Sequence, residues 1–171
     1  MPTRLPTTAA LGYWRGTMGY GVKTEELVHR RVAAYYWRDD INCATTSLKI
    51  LSEKFGVELS DQVIDAAVGM HGAGEYGAQC GLVEGALMFL GISGRRQHIP
   101  DEAIVRACKA YAEQFEKRFR SLSCAVLRPQ GFDPNNPPHL CEAFTREAVR
   151  FTIAFISNFL TRAHPTIGKL G

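Results

Sequence analysis

Apolar side chains recur at intervals of three or four positions along most of the chain, which is the spacing that lines one face of an α-helix. The clearest stripe is formed by Ile104, Cys108, Tyr111, Phe115 and Phe119. Stripes of this period predict helices over about residues 24–38, 42–56, 60–68, 79–91, 100–120 and 138–162. No segment alternates apolar and polar residues as a half-buried strand does. The pattern therefore predicts an all-α fold, a single compact helical bundle of about six helices.

Residues 1–22 break the helical pattern, because they contain four glycines and two prolines. We interpret them as an irregular N-terminal arm, whose aromatic side chains can dock on the core or on a second subunit. These aromatic residues are Tyr13, Trp14 and Tyr20. The predicted organisation is the arm, a single helical domain over residues 23–165 and a tail over residues 166–171. Exchange of the arm between two copies would produce a homodimer.

Residues 69–81 contain five glycines, which prevent a regular element and permit a close approach of the backbone to a bound group. The helix that follows is apolar nearly all round, so we expect it at the centre of the bundle, with its end at Gly91. Glu84 is the exception on this helix, since a carboxylate in the interior needs a partner or a raised pKa. The arginines considered as partners are Arg30, Arg31 and Arg118.

The composition limits the functions that the chain can have. With 171 residues, 46% of them hydrophobic, the chain is long enough to bury a core without disulfides. The net charge is only +3, and 20 basic residues alternate with 17 acidic ones, which is not the pattern of a nucleic-acid-binding protein. No apolar run is long enough to span a membrane, and the first residues lack the apolar core of a secretion signal. We therefore expect a cytoplasmic protein.

The five cysteines are the most informative residues, since a reducing compartment favours metal ligation, redox chemistry or core packing over permanent disulfides. Cys43, Cys80 and Cys141 lie at predicted helix starts, where the helix dipole can lower a thiol pKa from about 8.5 to roughly 3.5–7.5. Cys124 follows the long helix and can begin a short turn of its own. Cys108 lies in the middle of an apolar face and is expected to be a core residue.

The spacing of these cysteines allows two interpretations. Cysteine is often simply buried, and the sequence has none of the short CxxC pairs that are typical of metal sites. A helical bundle can, however, bring helix starts from distant segments together at one end. His71, Glu75 and His139 are possible further ligands or proton-handling groups, although solvated loop positions are the simpler interpretation.

The segments around these cysteines resemble the C_GCAxxG_C_C family of redox-active proteins over roughly residues 25–160. The resemblance rests on NCA at residues 42–44, on CGLVEGALMFLG from Cys80, on FEKRFRSLSC ending at Cys124, and on Cys141 at the start of the final helix. Leu82 stands where the family has alanine. A similar domain accompanies the haem-binding part of split-Soret cytochrome c, but this chain has no CxxCH motif and is expected to bind no haem.

The resemblance implies redox activity, with an iron–sulfur cluster or a single metal ion as cofactor and an electron-transfer protein as partner. Four thiolates are the ligand set of both kinds of cofactor. The resemblance implies that the cofactor is bound by Cys43, Cys80, Gly81, Cys124 and Cys141. Two alternatives stay open: a metal-free protein whose cysteines cycle between dithiol and disulfide, and a non-catalytic helical protein that binds a small ligand.

Overall fold

The computed structural model describes residues 20–163, and within them the fold is all-α, as predicted, with eight helices and no strand. Five helices have thirteen residues or more, and three are short. The helices are α1 Tyr20–Trp37, α2 Cys43–Phe55, α3 Asp61–Ala66, α4 Gly72–Glu75, α5 Gly81–Arg96, α6 Asp101–Phe119, α7 Cys124–Leu127 and α8 Glu142–Ala163. None of the helices in the described part of the chain is long and apolar enough to cross a membrane.

The α2 helix shows how local chemistry sets the boundaries of an element. Asn42 caps its start, because the Asn42 side-chain oxygen accepts a hydrogen bond from the Thr45 N–H at 2.9 Å. The Asn42 amide also donates to the carbonyl oxygens of Ala67 and Val68, at 3.1 and 3.0 Å. Gly56 ends the helix in the left-handed conformation, with φ of 61°. One side chain therefore fixes both the start of α2 and the entry to the glycine-rich segment.

The α5 helix is the centre of the bundle, as its apolar sequence predicts. It packs against α2, α6 and α8, and side chains on several of its faces are fully buried. These buried residues include Leu82, Val83, Ala86, Phe89 and Leu90. A side chain at Gly85 would bring its Cβ to 2.8 Å from the Ala44 carbonyl oxygen, so the close crossing of α2 and α5 requires a glycine there.

Buried hydroxyl pairs connect the outer helices to α8. The Tyr36 and Thr145 hydroxyl oxygens lie 2.7 Å apart, and those of Tyr111 and Thr152 lie 2.8 Å apart. These pairs satisfy polar groups that would otherwise cost free energy in the interior. Tyr36 also lines the cavity described below, so the bundle interior and the candidate site share one wall.

Four predicted helix boundaries are wrong, and three of them belong to α3, α5 and α8. The α5 helix continues past Gly91 to Arg96, because burial of its apolar face outweighs the low helix propensity of glycine. The third helix ends at Ala66, and Val68 is 65% exposed instead of lining an apolar stripe. The last helix begins at Glu142, since His139 has φ of 57° and cannot belong to a helix.

The glycine-rich segment contains one short helical turn, α4, although no regular element was predicted there. Ala73 and Gly74 have left-handed backbone angles within it, so the turn is not a regular helix. At the N-terminus, α1 begins at Tyr20, four residues before the predicted start. Tyr13 and Trp14 of the predicted arm, and the tail over residues 166–171, lie outside the described residues.

Candidate functional site

Three of the four cysteines at predicted element starts line one cavity of about 260 Å³. Cys43 is the first residue of α2, Cys124 is the first residue of α7, and Cys141 directly precedes α8. The other residues of the cavity wall include Tyr36, Asn42, His71, Glu75, Arg128 and His139. The bundle thus brings three distant chain segments to one end, together with the glycine-rich segment.

Cys80 joins this group through a short backbone pairing. Gln79 and Ser123 form an isolated antiparallel bridge. The Cys80 N–H donates to the Leu122 carbonyl at 2.8 Å, and the Cys124 N–H donates to the Ala78 carbonyl at 2.6 Å. Cys80 and Cys124, far apart in the sequence, are therefore neighbours. We call Cys43, Cys80, Cys124 and Cys141 the four-cysteine site.

Two glycines allow the backbone to approach these sulfurs closely. A Cβ atom on Gly81 would lie 2.6 Å from the Cys43 Sγ and 2.4 Å from the Met70 carbonyl oxygen. A Cβ atom on Gly72 would lie 3.0 Å from the Cys124 Cβ, and Gly72 also has φ of 73°. The glycine-rich segment therefore packs directly on the cysteines. Cofactor binding by Gly81 itself stays a prediction.

Burial sets the protonation of these thiols. It raises the pKa of Cys80 to about 12, although the Leu82 N–H donates a hydrogen bond that opposes this shift. Burial also raises the pKa values of Cys43 and Cys124. The expectation that helix starts lower the pKa is therefore wrong for Cys43 and Cys80, because loss of hydration outweighs the helix dipole. In the metal-free protein they are neutral thiols.

The same pKa shifts show that the thiols are close enough to repel one another when ionised. Negative charge on Cys80, Cys141 and Cys124 raises the pKa of Cys43 further. Cys124 and Cys141 act in the same way on Cys80. Several thiolates can therefore coexist here only if a positive charge compensates them.

Alkaline pH is expected to destabilise the metal-free, reduced protein. Above about pH 9 the unfolded chain loses its thiol protons, whereas native Cys80 keeps its proton to about pH 12. The native state then binds more protons, so the free energy of unfolding falls as pH rises, by up to about 1.4 kcal/mol per pH unit and thiol. Urea unfolding at pH 7.5 to 10 measures this slope. Cys80→Ser should make it shallower, and an unchanged slope would contradict the assignment.

His71 and Glu84 have buried polar atoms that lack a hydrogen-bond partner among the described residues, namely His71 Nδ1 and Glu84 Oε2. Burial raises the pKa of Glu84, and His71 opposes this shift, which places the two side chains near each other. Glu75 also lies near His71, with its Oε1 3.9 Å from His71 Nε2. The sequence predicted either a charged partner or a raised pKa for Glu84, and its pKa is raised.

The predicted arginine partners of Glu84 have other contacts. Arg30 pairs with Glu26 at 3.6 Å, and Arg31 pairs with Glu53 at 2.6 Å. The Arg118 guanidinium lies over the Phe119 ring, 5.8 Å from its centroid. The explanation of Glu84 by an arginine partner is therefore wrong for the two paired arginines, and no contact of Arg118 supports it.

His139 and Arg128 complete the cavity wall. The His139 ring stacks on Tyr36 with a centroid distance of 5.2 Å, and His139 Nε2 lies 3.9 Å from Asp40 Oδ1. Arg128 Nη1 donates to the Cys141 Sγ at 3.8 Å. The sequence interpretation missed Arg128 and Tyr36. The position of Arg128, four residues after Cys124, is the one signal that pointed to it.

Cys108 lies apart from this group. It is partly buried against the hydrophobic core, on the α6 helix, and is not part of the cavity wall. All five cysteines are free thiols. Within residues 20–163, no group of three or more His, Cys, Asp or Glu side chains has the spacing to hold a metal ion.

Comparison with known proteins gives one match. A family model with the description "Putative redox-active protein (C_GCAxxG_C_C)" matches residues 41–155, which is more than half of the chain. This range contains all five cysteines and the whole cavity wall except Tyr36 and Asp40. No curated protein and no solved structure matches the chain.

Proposed function

Because this chain belongs to the C_GCAxxG_C_C family of redox-active proteins, we propose that it is an electron-transfer protein whose four-cysteine site binds an iron–sulfur cluster. The observation that carries the proposal is the grouping of four cysteines from four separate chain segments. Cys43, Cys124 and Cys141 line one cavity, and Cys80 lies beside Cys124 across the backbone bridge. Four thiolates are the ligand set of [2Fe–2S] and [4Fe–4S] clusters. When bound, the cluster would supply a carrier of one electron.

The cavity beside the thiols supports a cofactor that occupies a volume. Cys43, Cys124 and Cys141 line this cavity of about 260 Å³. A cluster distributes its iron atoms, so its sulfur ligands surround a volume instead of one centre. A single tetrahedral metal ion with four sulfur ligands is the alternative cofactor.

The chain itself would bind the cluster and exclude water from it. Cys80 and Cys124 are nearly fully buried, at 5% and 6% exposure, and Gly72 and Gly81 close the backbone over the sulfurs. The raised thiol pKa values mean that ligation must release protons, and the cationic iron atoms then compensate the thiolate charge. Cys43, Cys80 and Cys124 therefore stay neutral thiols until the site is loaded.

Reversible reduction tests the electron-transfer role. Protein reconstituted with iron and sulfide without oxygen should lose part of its visible absorption on addition of dithionite and regain it on reoxidation, with one electron per cluster. The number of electrons comes from a titration followed by absorption. A cluster that binds but takes up no electron over the whole range of potentials would contradict an electron-transfer role.

A metal-free dithiol couple is the second candidate function, favoured by the position of Cys80 beside Cys124 across the backbone bridge. Neutral buried thiols are poor nucleophiles, which weighs against it. Thiol counting separates the two candidates. A disulfide would lower the thiol count by two per chain and restore it with reductant alone, whereas a cluster occupies thiolates without forming disulfides. The third alternative, a non-catalytic helical protein that binds a small ligand, is less well supported. Ligand cavities usually span about 300–1,000 Å³, whereas the cavity beside the glycine-rich segment has about 260 Å³.

We propose that the electron-transfer partner meets the chain at the mouth of the cavity. Tyr76, which follows the cavity residue Glu75, is 88% exposed. Val126, between Cys124 and Arg128, is also exposed. Exposed apolar residues beside a site are typical of interaction surfaces, and a partner bound there would lie close to the four-cysteine site.

Three further conclusions from the sequence stay predictions. The homodimer depends on the aromatic arm, most of which lies outside the described residues. The cytoplasmic location and the exclusion of nucleic acid depend on the composition and the start of the sequence alone.

A further inference from the structure

Arg128 is held in place beside the four-cysteine site by its own loop. Its Nε donates to the Gly131 carbonyl at 2.7 Å, and its guanidinium lies over the Phe132 ring, 4.5 Å from the centroid. The Gly131 carbonyl is fixed in turn by the Asn136 amide at 3.1 Å. The side chain is therefore pre-organised, and a long flexible cation becomes a charge of fixed position.

Arg128 contacts two of the four cysteines, one through its charged side chain and one through its backbone. Arg128 Nη1 points at the Cys141 Sγ at 3.8 Å, and the Arg128 backbone N–H donates to the Cys124 carbonyl at 2.8 Å. Among the described residues that line the cavity, Arg128 is the only arginine or lysine. The carboxylates of Asp40 and Glu75 in the same wall have side chains that are 91% and 57% exposed. Water therefore screens them more than it screens the guanidinium beside the sulfur.

We propose that Arg128 is a positioning residue that stabilises negative charge at the four-cysteine site through the Cys141 sulfur. For the loaded protein the inference rests on the proposed function. Reduction of a thiolate-ligated cluster adds one electron and therefore one negative charge. A hydrogen bond and a positive charge at a ligand sulfur both favour the more negative, reduced state and raise the reduction potential.

Redox titration of the reconstituted full-length protein tests this in the loaded state. The variants are Arg128→Met, which keeps the length and removes the charge, and Arg128→Lys, which keeps the charge. Arg106→Met is the matched control, since Arg106 is exposed on α6. Arg128→Met should lower the reduction equilibrium constant about tenfold, a shift of about −59 mV for one electron. Arg128→Lys should recover most of this shift, and Arg106→Met should show none.

A second measurement uses the metal-free, reduced protein and does not need a cluster. Iodoacetate and iodoacetamide attack the same Cys141 thiolate, so the ratio of their rates is independent of how much thiolate is present. The ratio reports the local charge, because only iodoacetate is an anion. Peptide mass mapping of Cys141 gives the rate with iodoacetate divided by the rate with iodoacetamide. This ratio should be about fivefold lower in Arg128→Met than in the wild type, and near the wild-type value in Arg128→Lys.

The two measurements separate the two proposals. If the wild type takes up no cluster, the proposed function is wrong, and the alkylation ratio alone decides the role of Arg128. If Arg128→Met binds a cluster at the wild-type potential, or if its alkylation ratio equals that of the wild type, the role of Arg128 is overturned. A loss of cluster in Arg128→Met together with a lowered alkylation ratio supports it.

Discussion

Replacing any one residue of the four-cysteine site by serine is expected to reduce the iron bound after anaerobic reconstitution to background. Each thiolate supplies one of the four ligands of the cluster, and a serine hydroxyl is a much weaker ligand for iron. The loss should be equally severe for Cys80, which is buried, and for Cys141, which is more accessible. Iron and sulfide per chain, with circular dichroism to confirm folding, measure the effect.

Cys108→Ser is the matched control, because Cys108 lies on α6 against the core and away from the cavity. It should leave the iron content unchanged and cost only the packing of one sulfur, about 1 kcal/mol of unfolding free energy. The opposite pattern, in which Cys108 is essential and one of the other four is dispensable, would show that the ligands are assigned wrongly.

Gly81→Ala is expected to damage both the fold and the site. The new Cβ would lie 2.4 Å from the Met70 carbonyl oxygen and 2.6 Å from the Cys43 Sγ. Relief of these contacts requires a shift of the Met70 backbone in the glycine-rich segment and of Cys43 at the start of α2, relative to α5. We expect a loss of about 1–3 kcal/mol in unfolding free energy, and a reconstituted iron content well below that of the wild type.

Gly91→Ala lies in the same helix and is the control for this substitution. A Cβ on Gly91 would meet no atom within 4 Å, so alanine should stabilise the helix by about 0.5–1 kcal/mol through its higher propensity. Urea unfolding of both variants gives the two values. If Gly81→Ala and Gly91→Ala change the unfolding free energy equally, helix propensity, and not the contact with Cys43, governs the effect at Gly81.

Helix periodicity in the sequence was sufficient for most of the fold. The stripe over α6 and the cap at Asn42 are local signals, and both helices begin and end within a residue of the prediction. The predicted helix end at Gly91 was wrong, because tertiary packing decides whether a glycine ends a helix or lies within one. The predicted start of the last helix was also wrong, because the left-handed backbone of His139 leaves no periodic signal in the sequence.

The sequence was sufficient to select the cysteines of the candidate site, but not to predict their arrangement or their protonation. The family resemblance selected the four cysteines, and the family match covers them all. The pairing of Gln79 with Ser123 could not be predicted, because an isolated bridge between distant segments has no repeating pattern. The protonation of Cys80 was predicted with the wrong sign. Position at a helix start is a local property, whereas burial depends on the whole fold.

Arg128 shows what an interpretation based on residue type overlooks. In the sequence it is one of 20 basic residues, and its loop contains only turn-forming neighbours. Its importance follows from three contacts that only the fold provides: the Gly131 carbonyl, the Phe132 ring and the Cys141 sulfur. The long loop before α8 therefore has a function beyond connection, since it fixes a charge beside the site.

We expect the four-cysteine site to bind an iron–sulfur cluster. Analysis of iron, zinc and acid-labile sulfide, with a visible spectrum, on full-length protein purified without oxygen decides this. Iron and sulfide should be present in equal amounts, with a broad visible absorption that gives a brown colour. Zinc alone, or neither iron nor sulfide even after anaerobic reconstitution, would rule out the cluster.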